Sequence, residues 1–416
     1  MRSRGRRLTF AVVALSALVL AVVAAGAAQA PPRPVKVKGA PEGEKAIAYG
    51  RSRLLLLRRG LTERTSTITR VRLDGSLDRS FGDDGTVHID AEDVAVTRDG
   101  KILVVATGSP KGSKHAEARV TRLRSDGKLD RSFGHNGEAF ADFGSEGSGQ
   151  TIAVGSDGDI LVAGIRIDAT DPTTGIISAD LAVARLKANG AIDTSFGTKG
   201  VIFVPVGDEI EAIDIAPTPS GGVIVEEGNE LSAYLEKFNR DGSPDNRFGH
   251  QGFVAVAAGR GKGAAHQSLR PLPGFAELPS GKLLITGYAS RRMKPHQLAV
   301  VRLGLDGRID HFYGRHGWAT VPGDLETTPA ALALLPGGKL AVGTTFREEG
   351  RPATVDFGAV VFTPGGHLEH RFADHGTCRA GLASVDGTSV ATVGGHPVAL
   401  GGEGKEQWLL NCPGAR

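Results

Sequence analysis

The chain has 416 residues, with 49 Lys and Arg against 46 Asp and Glu, 59 glycines, 5% aromatics and two cysteines. At 40% hydrophobic residues it carries enough apolar material for a folded core, which excludes a disordered or low-complexity chain. The basic excess lies in the first thirty residues, which hold four arginines and no acid; the remaining 45 bases and 46 acids exclude the basic face that a nucleic-acid binder requires.

Residues 1–30 have the layout of a secretory signal peptide: Arg2, Arg4, Arg6 and Arg7, an apolar run from Leu8 to about Ala25, and a small-residue end. Ala25-Gly26-Ala27 and Ala28-Gln29-Ala30 both fit a cleavage site, so the cut is expected after Ala27 or Ala30. The alternative is an uncleaved anchor, because a bilayer takes roughly 20 apolar residues. The expected protein is secreted or cell-surface, touches a membrane only if the signal stays on, and is a monomer. Residues 31–416 are expected to form one domain.

Past the leader, Val35-Lys36-Val37-Lys38-Gly39 reads as a short strand. Ala46-Ile47-Ala48 and Leu54-Leu55-Leu56-Leu57 then make a hairpin. A turn motif follows, Arg72-Leu73-Asp74-Gly75-Ser76-Leu77-Asp78-Arg79-Ser80-Phe81-Gly82-Asp83-Asp84-Gly85. Another hairpin comes next, Val94-Ala95-Val96 and Ile102-Leu103-Val104-Val105 around Asp99-Gly100. The turn motif recurs with its aromatic at 81, 133, 196, 248, 313 and 372, in steps of 52, 63, 52, 65 and 59; the sixth copy is degraded to Phe372-Ala373. Hairpins start near 46, 93, 151, 212, 275, 330 and 388. Each unit thus holds four strands, A to D: A and B flank the hairpin turn, C ends in Arg-Leu before Asp-Gly, and D follows Phe-Gly-x-x-Gly. No helical periodicity competes. Four strands per unit of this length predict an all-β fold, a β-propeller of seven four-stranded blades.

The motif resembles that of the delta-60 repeat family of bacterial β-propellers, close to Arg-Leu-x-x-Asp-Gly-x-Leu-Asp-x-x-Phe-Gly-x-x-Gly, over nearly the whole chain after the leader. The Asp-Gly turns are also distantly similar to those of NHL-type propellers. The resemblance implies a propeller and no shared catalytic residues.

Seven hairpins accompany six C–D motifs. The last hairpin is followed by Gln407-Trp408-Leu409-Leu410-Asn411, a strand C without a D, and residues 35–39 are the strand expected to complete that blade and remove an open sheet edge. Cys378 falls in strand D of blade six and Cys412 just after strand C of blade seven. Adjacent blades bring such positions within disulfide range, and export favours the bond; the alternative is two buried free thiols.

The repeated residues read as structural. Asp-Gly suits turns, because glycine accepts positive φ and aspartate bonds its own backbone; only Asp83-Asp84 comes near a calcium loop. Asp78, Asp130, Asp193, Asp245 and Asp310 are expected to accept backbone amides in the C–D turn, and the aromatics to fill the gaps between blades. His135, His250, His316 and His375 sit on separate blades, too far apart to share a zinc ion at bonds of about 2.0 Å. No metal site and no cofactor is expected.

Strand alternation puts the uniform A–B and C–D turns on one face and the variable B–C and D–A loops on the other. Ligand binding is expected at the variable face, near the central channel. The candidates there are Asp168, Asp171, Arg260, Lys262, His266, Arg291, Arg292, Lys294, His296, Arg347 and Glu348. With no enzyme motif present, the expected function is non-catalytic binding of an extracellular protein, glycan or cell-envelope ligand. The alternative is a propeller hydrolase or lyase acting on carbohydrates or esters, which needs two carboxylates, or a histidine with a carboxylate, at the channel mouth.

Overall fold

The computed structural model describes residues 32–38, 45–60, 65–113, 115–144, 146–170, 177–205, 212–229, 232–257, 268–290, 297–321, 325–348, 351–382, 384–403 and 406–412. They form seven antiparallel meanders, each with its strands in the order A, B, C, D. Blade 1 runs Lys45–Tyr49, Arg53–Arg58, Thr67–Arg72 and Thr86–His88; blade 2 runs Asp93–Val96, Ile102–Gly108, Glu117–Leu123 and Glu138–Ala141. Blade 3 has Thr151–Val154, Ile160–Thr170, Ile177–Leu186 and Val201–Pro205, with Glu146–Gly147 added against the far end of its strand B. Blades 4 and 5 begin with strands Ala212–Pro217 and Ser268–Glu277, and blade 6 with Leu325–Leu335. Blade 7 takes Asp386–Val393, His396–Glu403 and Glu406–Asn411 from the chain's end and Val35–Lys36 from its beginning. Val35 pairs with Leu409 and Lys36 with Trp408, so the expected closure is present.

Every blade is covered on both faces by its neighbours, which is why strands B and C are apolar without alternation: Leu54, Leu55, Leu56 and Leu57 are all buried. Seven apolar clusters fill seven seams, from Phe81 with Val104 between blades 1 and 2 to Leu56 with Leu400 between blades 7 and 1. The seam between the last and first blades closes the ring. Phe81, Phe133, Phe196, Phe248, Tyr313 and Phe372 are each buried in a seam, as the repeat predicts.

The turn motif also fastens neighbours directly. The amide of the glycine after the aromatic donates to a carbonyl in the next blade's turn: Gly82 to Asp126, Gly134 to Asn189 and Gly197 to Asp241 at 2.8 Å, Gly249 to Asp306 at 2.9 Å and Gly314 to Gly365 at 2.7 Å. Gly134 has φ +50°, and a Cβ there would meet the Glu138 carbonyl at 2.1 Å, so glycine is required. The motif aspartates accept the expected amides; Ser132 N lies 3.2 Å from Asp130 Oδ1.

The hairpins of blades 5 and 6 start earlier than the sequence suggests, at Ser268 and Leu325, because irregularities after Pro271 and Pro329 let strand A continue past a residue that cannot donate to the ladder. Where the B–C connections of blades 3 and 6 are described, strands B and C run on into them as ladder: blade 3 pairs Arg166 with Asp180 and blade 6 pairs Phe346 with Asp356. Cys378 and Cys412 form a disulfide with Cα atoms 6.0 Å apart. No helix among the described residues is long and apolar enough to cross a membrane.

Candidate functional site

The innermost strands enclose a central cavity of about 710 Å³ to which all seven blades contribute, among them Lys45, Asp93, Thr151, Asp214, Gly274, Ala331 and Ser389 in blade order. Its two ends differ. Lys45, Asp93 and Thr151 are the first residues of their strands, so they lie at the D–A end, and Glu92, Gln150 and Arg59 line the wall just beyond. Its sides differ too: blade 6 presents Ala330 to Leu334 and blade 7 Val390 and Ala391 with the hydroxyls of Thr388, Ser389 and Thr392, whereas the charged lining residues all come from blades 1, 2 and 4. The polar chemistry gathers at the B–C/D–A mouth.

Asp93 ties three blades together. Its Oδ1 accepts Lys45 Nζ at 2.6 Å and the Val94 amide at 2.7 Å; its Oδ2 accepts Thr151 Oγ1 at 3.0 Å and the Ile152 amide at 3.3 Å. Burial works against the Lys45 ammonium, but Asp93 overcomes it and holds the pKa above its ordinary value. Arg59 and Glu92 stand 4.0 Å apart.

Blade 4 carries Asp214 at the strand-A position of Lys45, Asp93 and Thr151, and across from it Glu226 where blades 1 to 3 have Leu57, Val105 and Ala163. Burial pushes the Asp214 carboxyl up to about 6, with Lys45 opposing and Asp93 adding to the shift. Glu226 pairs with Asp214 across strands A and B, so the two share one sheet face. Burial, reinforced by Asp214, pushes Glu226 up to about 8. Its Oε2 accepts the Gly274 amide at 3.1 Å, while its buried Oε1 has no partner. Outside the cavity lining, burial raises Glu227 to about 7, with Glu236 adding, and Glu277 of blade 5 to about 7 against Lys237.

The residues read from the sequence fall elsewhere. Asp171, Arg260, Lys262, His266, Arg291, Arg292, Lys294 and His296 lie outside the described residues. Asp168 and Glu348 lie in strands, in blades 3 and 6, and not in loops; nothing of their side chains is described. Arg347, also in a strand, donates to Asp386 Oδ1 at 3.1 Å and Thr328 Oγ1 at 3.3 Å, stitching blades 6 and 7 together away from the cavity lining. His135, His250, His316 and His375 are exposed on separate blades. Among the described residues no three His, Cys, Asp or Glu side chains gather as a metal site. The sequence reading missed Lys45, Asp93, Thr151, Asp214 and Glu226. The available signal was an acid interrupting an apolar strand, as in Ile213-Asp214-Ile215 and Val225-Glu226-Glu227.

Residues 97–133 and 155–196, the bulk of blades 2 and 3, match the family described as "Domain of unknown function (DUF5122) beta-propeller". The match covers parts of two of the seven blades. No curated protein matches it. Similar solved structures include a protein of unknown function from Dyadobacter fermentans, at 13% identity, TM-score 0.42, covering 80% of this chain and 98% of that one. A polysaccharide lyase described as an ulvan lyase is similar at 12% identity, TM-score 0.46, covering 92% and 94%. A putative gluconolactonase is similar at 16% identity, TM-score 0.34, covering 92% and 93%. Likeness at this level concerns the fold alone.

Proposed function

We propose that this seven-bladed propeller is an exported, non-catalytic binding protein that takes a glycan or another cell-envelope ligand at the B–C/D–A mouth of its channel. The observation that carries the reading is the asymmetry of the cavity: charged and hydrogen-bonding side chains gather at one end, on walls held rigid by seven packed seams. Asp93 favours binding over hydrolysis or elimination. Three carboxylates, Glu92, Asp93 and Asp214, line the channel, but Arg59 stands against Glu92, and both oxygens of Asp93 are filled by a lysine, a hydroxyl and two amides, which leaves it no lone pair suited to a general base. The leader-like first thirty residues and the disulfide support export.

The test presents the full chain to arrays of glycans, cell-wall fragments and envelope proteins, beside Ala330→Trp, which fills the channel from a half-buried lining position. Selective retention by the native chain, lost in a variant of unchanged thermal stability, is expected. Retention of nothing, or retention that the tryptophan does not diminish, overturns the reading.

A further inference from the structure

We infer that the channel mouth receives an unacetylated amino sugar, with its ammonium against Asp214 and its hydroxyls toward Thr151 and Gln150. The inference rests on the channel being the binding site.

Charge is the first ground. Two channel carboxylates already have cations: Lys45 sits 2.6 Å from Asp93 and Arg59 4.0 Å from Glu92. Asp214 accepts only the amide of Ile215, at 2.9 Å, and has no ion-pair partner among the described residues. Lys45 acts on it only from a distance, its own contact being with Asp93, so among the described lining acids Asp214 is the one no cation touches.

Glu226 is the second and independent ground. It is 4% exposed, and it lies beside Asp214 on the same sheet face. One of its oxygens is fixed by the amide of Gly274, itself a residue of the cavity wall, and the other has no partner. A buried carboxyl left half-satisfied is costly unless a donor arrives. An ammonium against Asp214, the member of the pair that lines the cavity, brings three donors and a positive charge beside Glu226.

The rest of the cavity selects among amines. At about 710 Å³ it lies within the size range of small-ligand sites, roughly 300–1,000 Å³. The Ala330–Leu334 wall offers apolar surface, and the opposite wall offers a hydroxyl and a side-chain amide. A pyranose ring has the same division, an apolar face and a hydroxyl-bearing edge. An alkylamine would leave the polar wall unmatched, and a neutral or anionic sugar would leave Asp214 uncompensated.

Titration calorimetry of the full chain at neutral pH with glucosamine, N-acetylglucosamine and glucose tests this, because the three differ chiefly at one substituent. Glucosamine is expected to bind at least tenfold more tightly than the other two. Asp214→Asn should erase that preference, and Glu226→Gln should reduce it. The native binding heat should vary with the buffer's ionisation enthalpy, because an arriving cation drives protons off Asp214 and Glu226. Equal affinity for the three sugars, no binding of glucosamine, or a preference intact in folded Asp214→Asn overturns the inference. Should Asp214→Asn not fold, a preference unmoved by both Glu226→Gln and added salt overturns it, since salt weakens an ammonium–carboxylate contact. An array ligand blocked by Ala330→Trp, found together with equal sugar affinities, removes the amine and leaves the channel reading intact. An array ligand that Ala330→Trp fails to block removes both.

Discussion

Arg122 joins three parts of the repeat that the sequence shows only as separate letters. Its Nε lies 2.9 Å from Asp130 Oδ2, its Nη1 donates to the Ala188 carbonyl of the next blade at 2.7 Å, and its guanidinium lies 4.6 Å from the centre of the Phe133 ring. Arg185 and Arg302 repeat the arrangement with Phe196 and Tyr313. The hydroxyl of Ser132, helped by its amide and by Arg122, holds Asp130 at about 2 despite the opposing effect of burial. Replacing Arg122 by Met keeps much of the volume but takes the nearest cation from a buried carboxylate, leaving Asp130 to Ser132 and to Lys101 at 3.4 Å. A loss of about 2–4 kcal/mol is expected in equilibrium unfolding, with Arg122→Lys losing less. A native-like unfolding midpoint for Arg122→Met would show the ion pair to be dispensable. The aspartate and aromatic of this set were legible because their roles are local to the turn. The arginine's role was not, because one of its partners, the Ala188 carbonyl, belongs to another blade 66 residues on. The same limit hid Lys45 and Asp93, which are ordinary strand-end residues until seven strand ends converge.

Strands and turns show where the repeat fails and what replaces it. Five seams carry the glycine-to-turn bond, from blade 1 to blade 6. At the sixth the pattern has run out: Val361 stands where the arginine belongs, Ala373 where the glycine belongs, and blade 7 has no Asp-Gly turn to receive a bond. The Cys378–Cys412 disulfide lies across this seam, from strand D of blade 6 to the end of strand C of blade 7. The half-cystines enclose a separation of 34 residues, for which chain entropy gives about 3–4 kcal/mol. Cys378→Ala with Cys412→Ala should lose about that much stability and should speed amide exchange in Gln407–Asn411 before other strands. Uniform exchange across all blades would deny the bond this local role. Blade number, strand order and the closing strand could be read from spacing, because each depends on a period. Strand limits in blades 5 and 6 could not, because the irregularities after Pro271 and Pro329 that let these strands run on have no period to betray them.

Across the whole ring, two sets of carboxyls pull stability in opposite directions with pH. Asp130, Asp78, Asp193, Asp245 and Asp310 sit below the ordinary aspartate range. Their contribution is present above about pH 4 and is lost as pH falls toward about 2. Glu226, Glu227 and Glu277 sit above the ordinary range, at about 8, 7 and 7. The native state then binds more protons than the unfolded chain between about pH 4.5 and 8, so stability falls as pH rises through that window. The melting temperature should peak on the acid side of neutrality, near pH 4–5, and Glu226→Gln should flatten the descent above pH 5. A maximum near pH 8 would contradict the placement of these acids.

The pairing of Val35 with Leu409 has a further consequence. Since the opening and closing strands lie edge to edge, joining the natural ends and cutting at another hairpin leaves the contact map of the circle unchanged. Such a rearranged polypeptide would begin and end on whichever blade is cut. Its native free energy would differ mainly in how much entropy each new link removes from the unfolded chain. The starting point of this polypeptide is therefore a matter of bookkeeping for its geometry, and weighs only on the order in which the blades come together.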